Sequence, residues 1–542
     1  MKKNTWLLPA FAVLSLLSVL AIQIVFMPWK LNSDSAFAPI FASWQVKTGQ
    51  FFPDGICYST SLMGISTNLF MIPGYLLFSG NLLAARISGI FLMHILLFFL
   101  LYRVFQTEGK RDIVSPSIAA ILFTIPFLGS AATEQYLIEG AYISQVLWIL
   151  VGILAFRAFM RAEGLPKRLL FAGIILLVII AADIHAYRNL LTAFLPLTAT
   201  WLFWIFWKQK DAPDLKKILK EWLPVAAVAL VGAALGFLIF RTFSRLYWPF
   251  ENQTQLTLGA GTRFSHRLDT LVNSLVSIVG NANEAALLSV RGFGKLAGYA
   301  ASFLLYIALP VFAVKNYRRF QKDSTRFLIA FTFIGSACTA LVVLAADLDL
   351  VGNDISRYCL PIFANFLLLA AAVLGDLASE HLSALIRYAP ALLLAFAVLF
   401  HGIYWKVTWS EHFLLPDPYK MTSFFQENNL HRGYASYWYA HRFTALTDFD
   451  VTIANIRVEV GFIRPDYWLT SKTYYQRDFG ADRCFLMLRD DELAAFAPDG
   501  LENTPLGEPS ETLRYNQFYI LVYDENIGSD DCLAWTEDMG WR

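Results

Sequence analysis

The sequence predicts a polytopic α-helical membrane protein of about 11 transmembrane helices, followed by a C-terminal extracytoplasmic α/β domain. Three observations carry this. Of 542 residues, 57% are hydrophobic and only 16% charged, against roughly 25% charged in a globular domain. Long uncharged runs recur as far as residue 409. The charge balance then reverses: residues 1–409 hold 32 Lys/Arg and 20 Asp/Glu, whereas 410–542 hold 11 and 22. A basic, apolar body (1–409) thus carries an acidic, water-compatible tail (410–542). The net charge of +1 argues neither for nor against nucleic acid, and no nucleic-acid partner is expected.

Taken in order, the chain opens with Lys2-Lys3 and an uncharged run from Asn4 to Trp29. This run is long for a signal-peptide core of about 7–15 residues, so a retained first helix is expected. Further runs of about 20 residues, the length that crosses hydrocarbon, centre near residues 94, 121, 147, 176, 198, 231, 305, 336, 367 and 399. Lys/Arg gather in alternate loops, including Arg157 to Arg168, Lys208 to Lys220 and Lys315 to Arg326. The positive-inside rule then places the N-terminus in the cytoplasm and, with an odd number of spans, the tail outside.

Outside the membrane the first loop, 28–80, begins with Asn32-Ser33-Asp34-Ser35. Its Phe37, Ile40/Phe41 and Trp44 form one apolar stripe on a helix over Ser35–Lys47. Such a helix is expected to lie in the membrane interface. Polar residues also gather at Gly129–Gln145, at Asp183–Arg188, in the long outer loop 241–295 and at Asp347–Arg357. In the tail, strands are expected at Val451–Ile456, Cys484–Leu488 and Phe518–Tyr523, and helices at Tyr419–Asn428 and Tyr434–Ala445. Of five cysteines only Cys484 and Cys532 lie there; a disulfide and two separate thiols are both open. No Cys/His spacing typical of zinc occurs.

The order of an acid after the first span, an aromatic loop, Pro73-Gly74-Tyr75, and then Ala84-Ala85-Arg86-Ile87-Ser88 in a span closing at Leu101-Tyr102-Arg103 resembles the GT-C superfamily of membrane glycosyltransferases. It is most similar to bacterial relatives of protein O-mannosyltransferases and of the lipid A aminoarabinose transferase. Arg357-Tyr358 with Pro361 is similar to an Arg-Tyr-x-x-Pro element of that group. Many relatives have Asp-Glu where this chain has Asp34-Ser35. The resemblance implies a polyprenyl-phosphate-sugar donor, a cell-envelope acceptor and Asp34 as catalytic base, in a bacterial inner (plasma) membrane.

Each candidate has a plain reading beside the chemical one. Asp34 is either a general base for an acceptor hydroxyl or the N-cap of the first-loop helix. Asp54 and Glu139 are candidates for a second acid or for holding the acceptor, and an acid at the lip of a span is functional by default. Arg357, Arg188 and His185 are candidate ligands for the donor phosphate; the plain reading is snorkelling or pairing, for instance Arg357 with Asp354. Asp347, Asp349 and Asp354 offer oxygen ligands for a divalent metal, or are simply solvated. Arg263, His266 and Arg267 read as a basic face against anionic lipid. A transporter or lipid-linked-sugar flippase would need polar residues at the bilayer midplane, whereas these gather at one face. A non-catalytic envelope-assembly subunit is the third reading.

Overall fold

The computed structural model describes residues 7–527 except 59–62, 107–111, 128–130, 186–188, 210–213, 248–263, 281–285, 287, 321, 346–355, 380–383, 413–416, 477–478, 480–482 and 526. The chain divides into two compact units. One comprises residues 1–23, 91–240 and 254–411; the other comprises 24–90, 241–253 and 412–542.

Among the described residues, helices dominate the first 412. They begin with α1 (Leu7–Lys30), α2 (Ser33–Thr48), α3 (Asn68–Leu77), α4 (Leu82–Phe105) and α5 (Val114–Thr124). Next come α6 (Ile143–Arg161), α7 (Leu165–His185), α8 (Leu195–Lys208), α9 (Leu215–Tyr247) and α10 (Phe264–Val279). The series ends with α11 (Val290–Phe303), α12 (Leu309–Lys315), α13 (Asp323–Ala345), α14 (Leu360–Ser379) and α15 (Ala384–His412). Among the described residues ten helical stretches are long and apolar enough to cross a membrane, α11 and α12 counting as one through the π-turn Leu304–Ala308. The chain is a multi-pass membrane protein.

The eleventh expected span, near residue 121, is α5, and it has only 11 residues. At 1.5 Å per residue it is roughly 16 Å long, about half the hydrocarbon thickness. Its end is set by Pro126, which forces Ile125 out of the helical region to φ −68°, ψ 119°. Within its unit α5 packs along α14, and α14 along α13. An ion cluster joins the ends of these three helices: Lys322 Nζ lies 2.8 Å from Asp112 and 4.0 Å from Asp376.

The other unit contains a six-stranded sheet. Its strands are β2 (Arg432–Ser436), β3 (Thr452–Glu459), β4 (Phe462–Pro465), β6 (Cys484–Arg489), β7 (Glu511–Tyr515) and β8 (Phe518–Tyr523), in the order β4-β3-β2-β6-β8-β7. β3, β2 and β6 are parallel; β4, β8 and β7 pair antiparallel. The central strand β6 reads Cys484-Phe485-Leu486-Met487-Leu488 because both of its faces are covered. Phe485 and Met487 pack with α16 (Pro418–Glu427) and α17 (Tyr437–Leu446), whereas Leu486 and Leu488 face Tyr474, Tyr475 and Phe496 of α18 (Asp490–Phe496). The helix expected over Tyr434–Ala445 begins three residues later, because Tyr434 and Ala435 are buried strand residues of β2. Cys484 is a buried free thiol; Cys532 lies outside the described residues.

A two-stranded ladder pairs first-loop strand β1 (Ile56–Cys57) with β5 (Thr470–Ser471), Ile56 opposite Ser471 and Cys57 opposite Thr470. Lys472 N–H extends it to Gly55 O at 2.7 Å. The first loop and the tail therefore share one unit.

Candidate functional site

α2 starts where the sequence places a turn of small polar residues. Its N-cap is Asn32, whose side chain accepts from Ser35 N–H at 2.8 Å while Ser35 Oγ accepts from Asn32 N–H at 3.0 Å. This reciprocal pair satisfies two donors at the helix start. Asp34 is therefore not the cap. It sits in the first turn, where a carboxylate is favoured by the helix dipole, and its side chain is left for other work.

The expected interfacial helix is instead protein-covered. Phe37, Ile40 and Phe41 have no exposed area, and Ala36, Ala38, Pro39, Ala42 and Ser43 on the remaining faces are buried too. An apolar stripe says that a face is kept from water, not whether lipid or protein covers it. Here Phe37 meets the His441 ring at 5.7 Å and Trp44 meets the Tyr474 ring at 6.2 Å.

Pro39 removes the N–H that would have bonded Ser35 O within the helix. That carbonyl is taken by Arg86 Nη1 at 2.6 Å, from a side chain 1% exposed on α4. Arg86 Nε also lies 3.3 Å from Met27 Sδ. A buried guanidinium thus replaces the missing bond one residue after Asp34. Gly74 lets α3 approach this part of α4, since a Cβ there would come within 1.9 Å of Ser88 Oγ and 3.0 Å of Ala85 Cα. This is the packing reason for the glycine of Pro73-Gly74-Tyr75.

α17 of the tail docks onto the start of α2. Ser33 Oγ donates to Tyr437 O and accepts from His441 N–H at 3.2 Å. Tyr437 Oη donates to Asp34 Oδ1. Arg442 Nη2 reaches Pro28 O and Trp29 O, both at 3.4 Å, so a cation meets the last carbonyls of α1. Asp448 caps α4 from the tail, with Oδ1 accepting from Leu82 N–H at 2.7 Å and Oδ2 from Asn81 Nδ2 at 2.8 Å.

Burial, the Asp34 charge and the hydrogen bond to it raise the Tyr437 pKa well above 10. Tyr437 therefore remains a donor throughout the physiological range. Burial pushes His441 down to about 4, so the imidazole wedged between Phe37 and Tyr437 is neutral. The arrangement is a carboxylate at a helix start, its plane fixed by a permanent phenol donor.

The other sequence candidates are distributed as follows. Asp54 shares this unit but is exposed in a turn, its Oδ2 accepting from Gln50 Nε2 at 2.9 Å. Glu139 belongs to the other unit, after the π-turn Thr133–Ile138, and accepts from Gln135 Nε2 at 2.9 Å. Arg357 also lies there, on the helical turn that opens the span Ser356–Leu377, with its guanidinium 5.4 Å from the Tyr358 ring centre. His185 ends α7, and its side chain is outside the described residues, as are Arg188, Arg263 and the aspartates 347, 349 and 354. Among the described residues no three His, Cys, Asp or Glu side chains converge as a metal site. Sequence reasoning missed Tyr437, His441 and Arg442. The aromatic run Tyr437-Trp438-Tyr439 with His441-Arg442 was visible, but nothing in it points 403 residues back to Asp34.

No family model matches the chain, and no curated protein does. Among solved structures it is similar to the crystal structure of ArnT from Cupriavidus metallidurans bound to undecaprenyl phosphate. The TM-score is 0.55 at 12% identity, over 98% of this chain and 100% of that one. The two share their fold.

Proposed function

We propose that this protein transfers a sugar from a polyprenyl-phosphate carrier to a hydroxyl of a cell-envelope acceptor, with inversion at the anomeric carbon. The acceptor is a glycan, lipid or protein. The observation that carries the reading is the Asp34 carboxylate at the start of α2, held by the Tyr437 hydroxyl. The fold shared with a protein crystallised with undecaprenyl phosphate supports the donor class. In the reaction the acceptor oxygen attacks the anomeric carbon, and the bond from that carbon to the phosphate oxygen breaks. The acceptor proton passes to Asp34, and polyprenyl phosphate leaves as the anion. A phosphate leaving group needs cations rather than a strong acid. Arg357 is our candidate for that role, because a planar fork suits phosphate, with His185 and Arg188 as further candidates. Asp54 and Glu139 remain candidates for holding the acceptor.

The test is purified protein incubated with a polyprenyl-phosphate sugar and an envelope fraction. Free polyprenyl phosphate appearing with the sugar in a new linkage supports transfer. Donor bound or moved across a vesicle without bond cleavage would point to the flippase. No donor binding at all would point to the assembly subunit.

Tyr437→Phe keeps the ring and removes one hydrogen bond to a charged group, worth about 1.5–3 kcal/mol. Transfer is expected to fall by roughly ten- to a hundredfold, mostly in kcat, with donor affinity retained. An unchanged kcat would mean that Asp34 needs no such positioning.

This reading places the site and the tail on the outer face of a bacterial inner membrane. A reporter active only outside the cytoplasm should work when fused after Arg542 and fail when fused at Lys216. The reverse order would remove the site from the face where we place the donor.

A further inference from the structure

The helical unit also carries an apolar groove with basic residues in its lining, and none of the residues assigned a role above lines it. α8, α12 and α13 enclose a groove of about 640 Å³. Its wall is built from Phe203 and Trp207 of α8, Val314 of α12, and Ile329, Phe333 and Ile334 of α13. Several of these rings and chains are exposed: Phe203 and Phe333 by 39% and 38%, Val314 by 56%. At one end stand Lys315, Arg318 and Arg319, and no carboxylate lines the groove among the described residues. The neighbouring acid, Asp323, is engaged by Lys208 at 3.4 Å and Arg326 at 3.8 Å.

The cations themselves are little used. Arg319 Nη1 donates to Asn316 Oδ1 at 3.3 Å. The side chains of Lys315 and Arg318 make no hydrogen bond or ion pair among the described residues. Tyr317 also lines the groove, its ring edge-on to Trp207 at 4.8 Å. From this polar end the wall climbs α13: Ile334 is the twelfth residue of that helix, roughly 16 Å along it at 1.5 Å per residue.

We infer that this groove binds one anionic glycerophospholipid. Its phosphate and head group would meet Lys315, Arg318 and Arg319, with an acyl chain along Phe203 and Phe333. Charge decides the occupant. Three cations without an acid repel a second copy of the same face, and a net-neutral head group would leave the excess charge unmet. Three charges, each worth about one kcal/mol near an anionic lipid surface, together correspond to a preference on the order of a hundredfold. The inference is independent of Asp34 and of the reaction.

The experiment titrates the delipidated full-length protein in neutral detergent with phosphatidylglycerol, phosphatidylcholine or inorganic phosphate, reading bound lipid by native mass spectrometry. Phosphatidylglycerol should bind one per chain. The triple variant Lys315→Gln, Arg318→Gln, Arg319→Gln should weaken it on the order of a hundredfold, with the melting temperature in lipid-free detergent unchanged. Arg318→Gln alone should lose about fivefold, which keeps the test decisive if the triple variant does not fold. Equal binding of phosphatidylcholine would overturn the inference. So would displacement by millimolar phosphate, which would make this a simple anion site. An equal loss in Lys216→Gln, Lys217→Gln, Lys220→Gln would show only bulk attraction to the basic face. Self-association of the wild type that the triple variant loses would give the groove to a second copy.

Discussion

Asp34→Asn should reduce sugar transfer by roughly 10²–10⁴-fold, the usual cost of losing an acid–base group, while leaving insertion, donor binding and melting temperature nearly unchanged. Asparagine keeps the planar shape and still accepts from the Tyr437 hydroxyl through its carbonyl oxygen, but it does not take up a proton at neutral pH. The structure makes this a cleaner comparison than the sequence alone allows. A capping carboxylate would lose about 1 kcal/mol on truncation; here Asn32 caps α2 and Ser35 completes the box, so Asp34→Ala should cost little through capping. The informative set is Asp34→Asn and Asp34→Ala against Asn32→Ala, assayed for turnover with a polyprenyl-phosphate sugar and for thermal stability in detergent. Turnover should follow Asp34, and helix stability should follow Asn32. A fully active Asp34→Asn would sink the mechanism and move the search for a base to Asp54 and Glu139.

The second large effect is expected at Arg86. Its guanidinium supplies Ser35 O with the hydrogen bond that Pro39 withholds, so Arg86→Met should leave a buried carbonyl unmet at roughly 1–3 kcal/mol. It also removes a charged donor beside the start of α2. We expect a lower melting temperature and, because α2 carries Asp34, lost transfer as well. The proposed cause is checked by a double-mutant cycle. Pro39→Ala restores a backbone N–H to α2 that is able to bond Ser35 O. In the Arg86→Met background it should recover at least about 1 kcal/mol more than it changes the wild type. Strict additivity would show that Arg86 acts through some other contact.

The helix start that carries Asp34 was legible in the sequence. Asn32-Ser33-Asp34-Ser35 marks a helix start because short polar side chains compete for the backbone N–H groups of a first turn. The central strands of the tail were legible because runs such as Cys484–Leu488 and Phe518–Tyr523 are apolar on both faces. Eleven apolar runs were equally visible, but the one near 121 is a short helix stopped before Pro126. Hydropathy measures dryness along the chain and not the length of a helix.

The sequence by itself determined the solvent of each region, the acid at the start of α2, and the acidic α/β tail. Those properties are local, set by side-chain transfer from water and by the backbone demands of a first turn. Tertiary structure alone decided that the stripe Phe37–Trp44 is covered by protein, that Asn32 and not Asp34 is the cap, and that Arg86 repairs the gap left by Pro39. It alone brought Tyr437, His441 and Arg442 to residues 28–34. The reason is physical: a hydrogen bond across 403 residues depends on where two surfaces meet, and neither surface carries a periodicity that names the other.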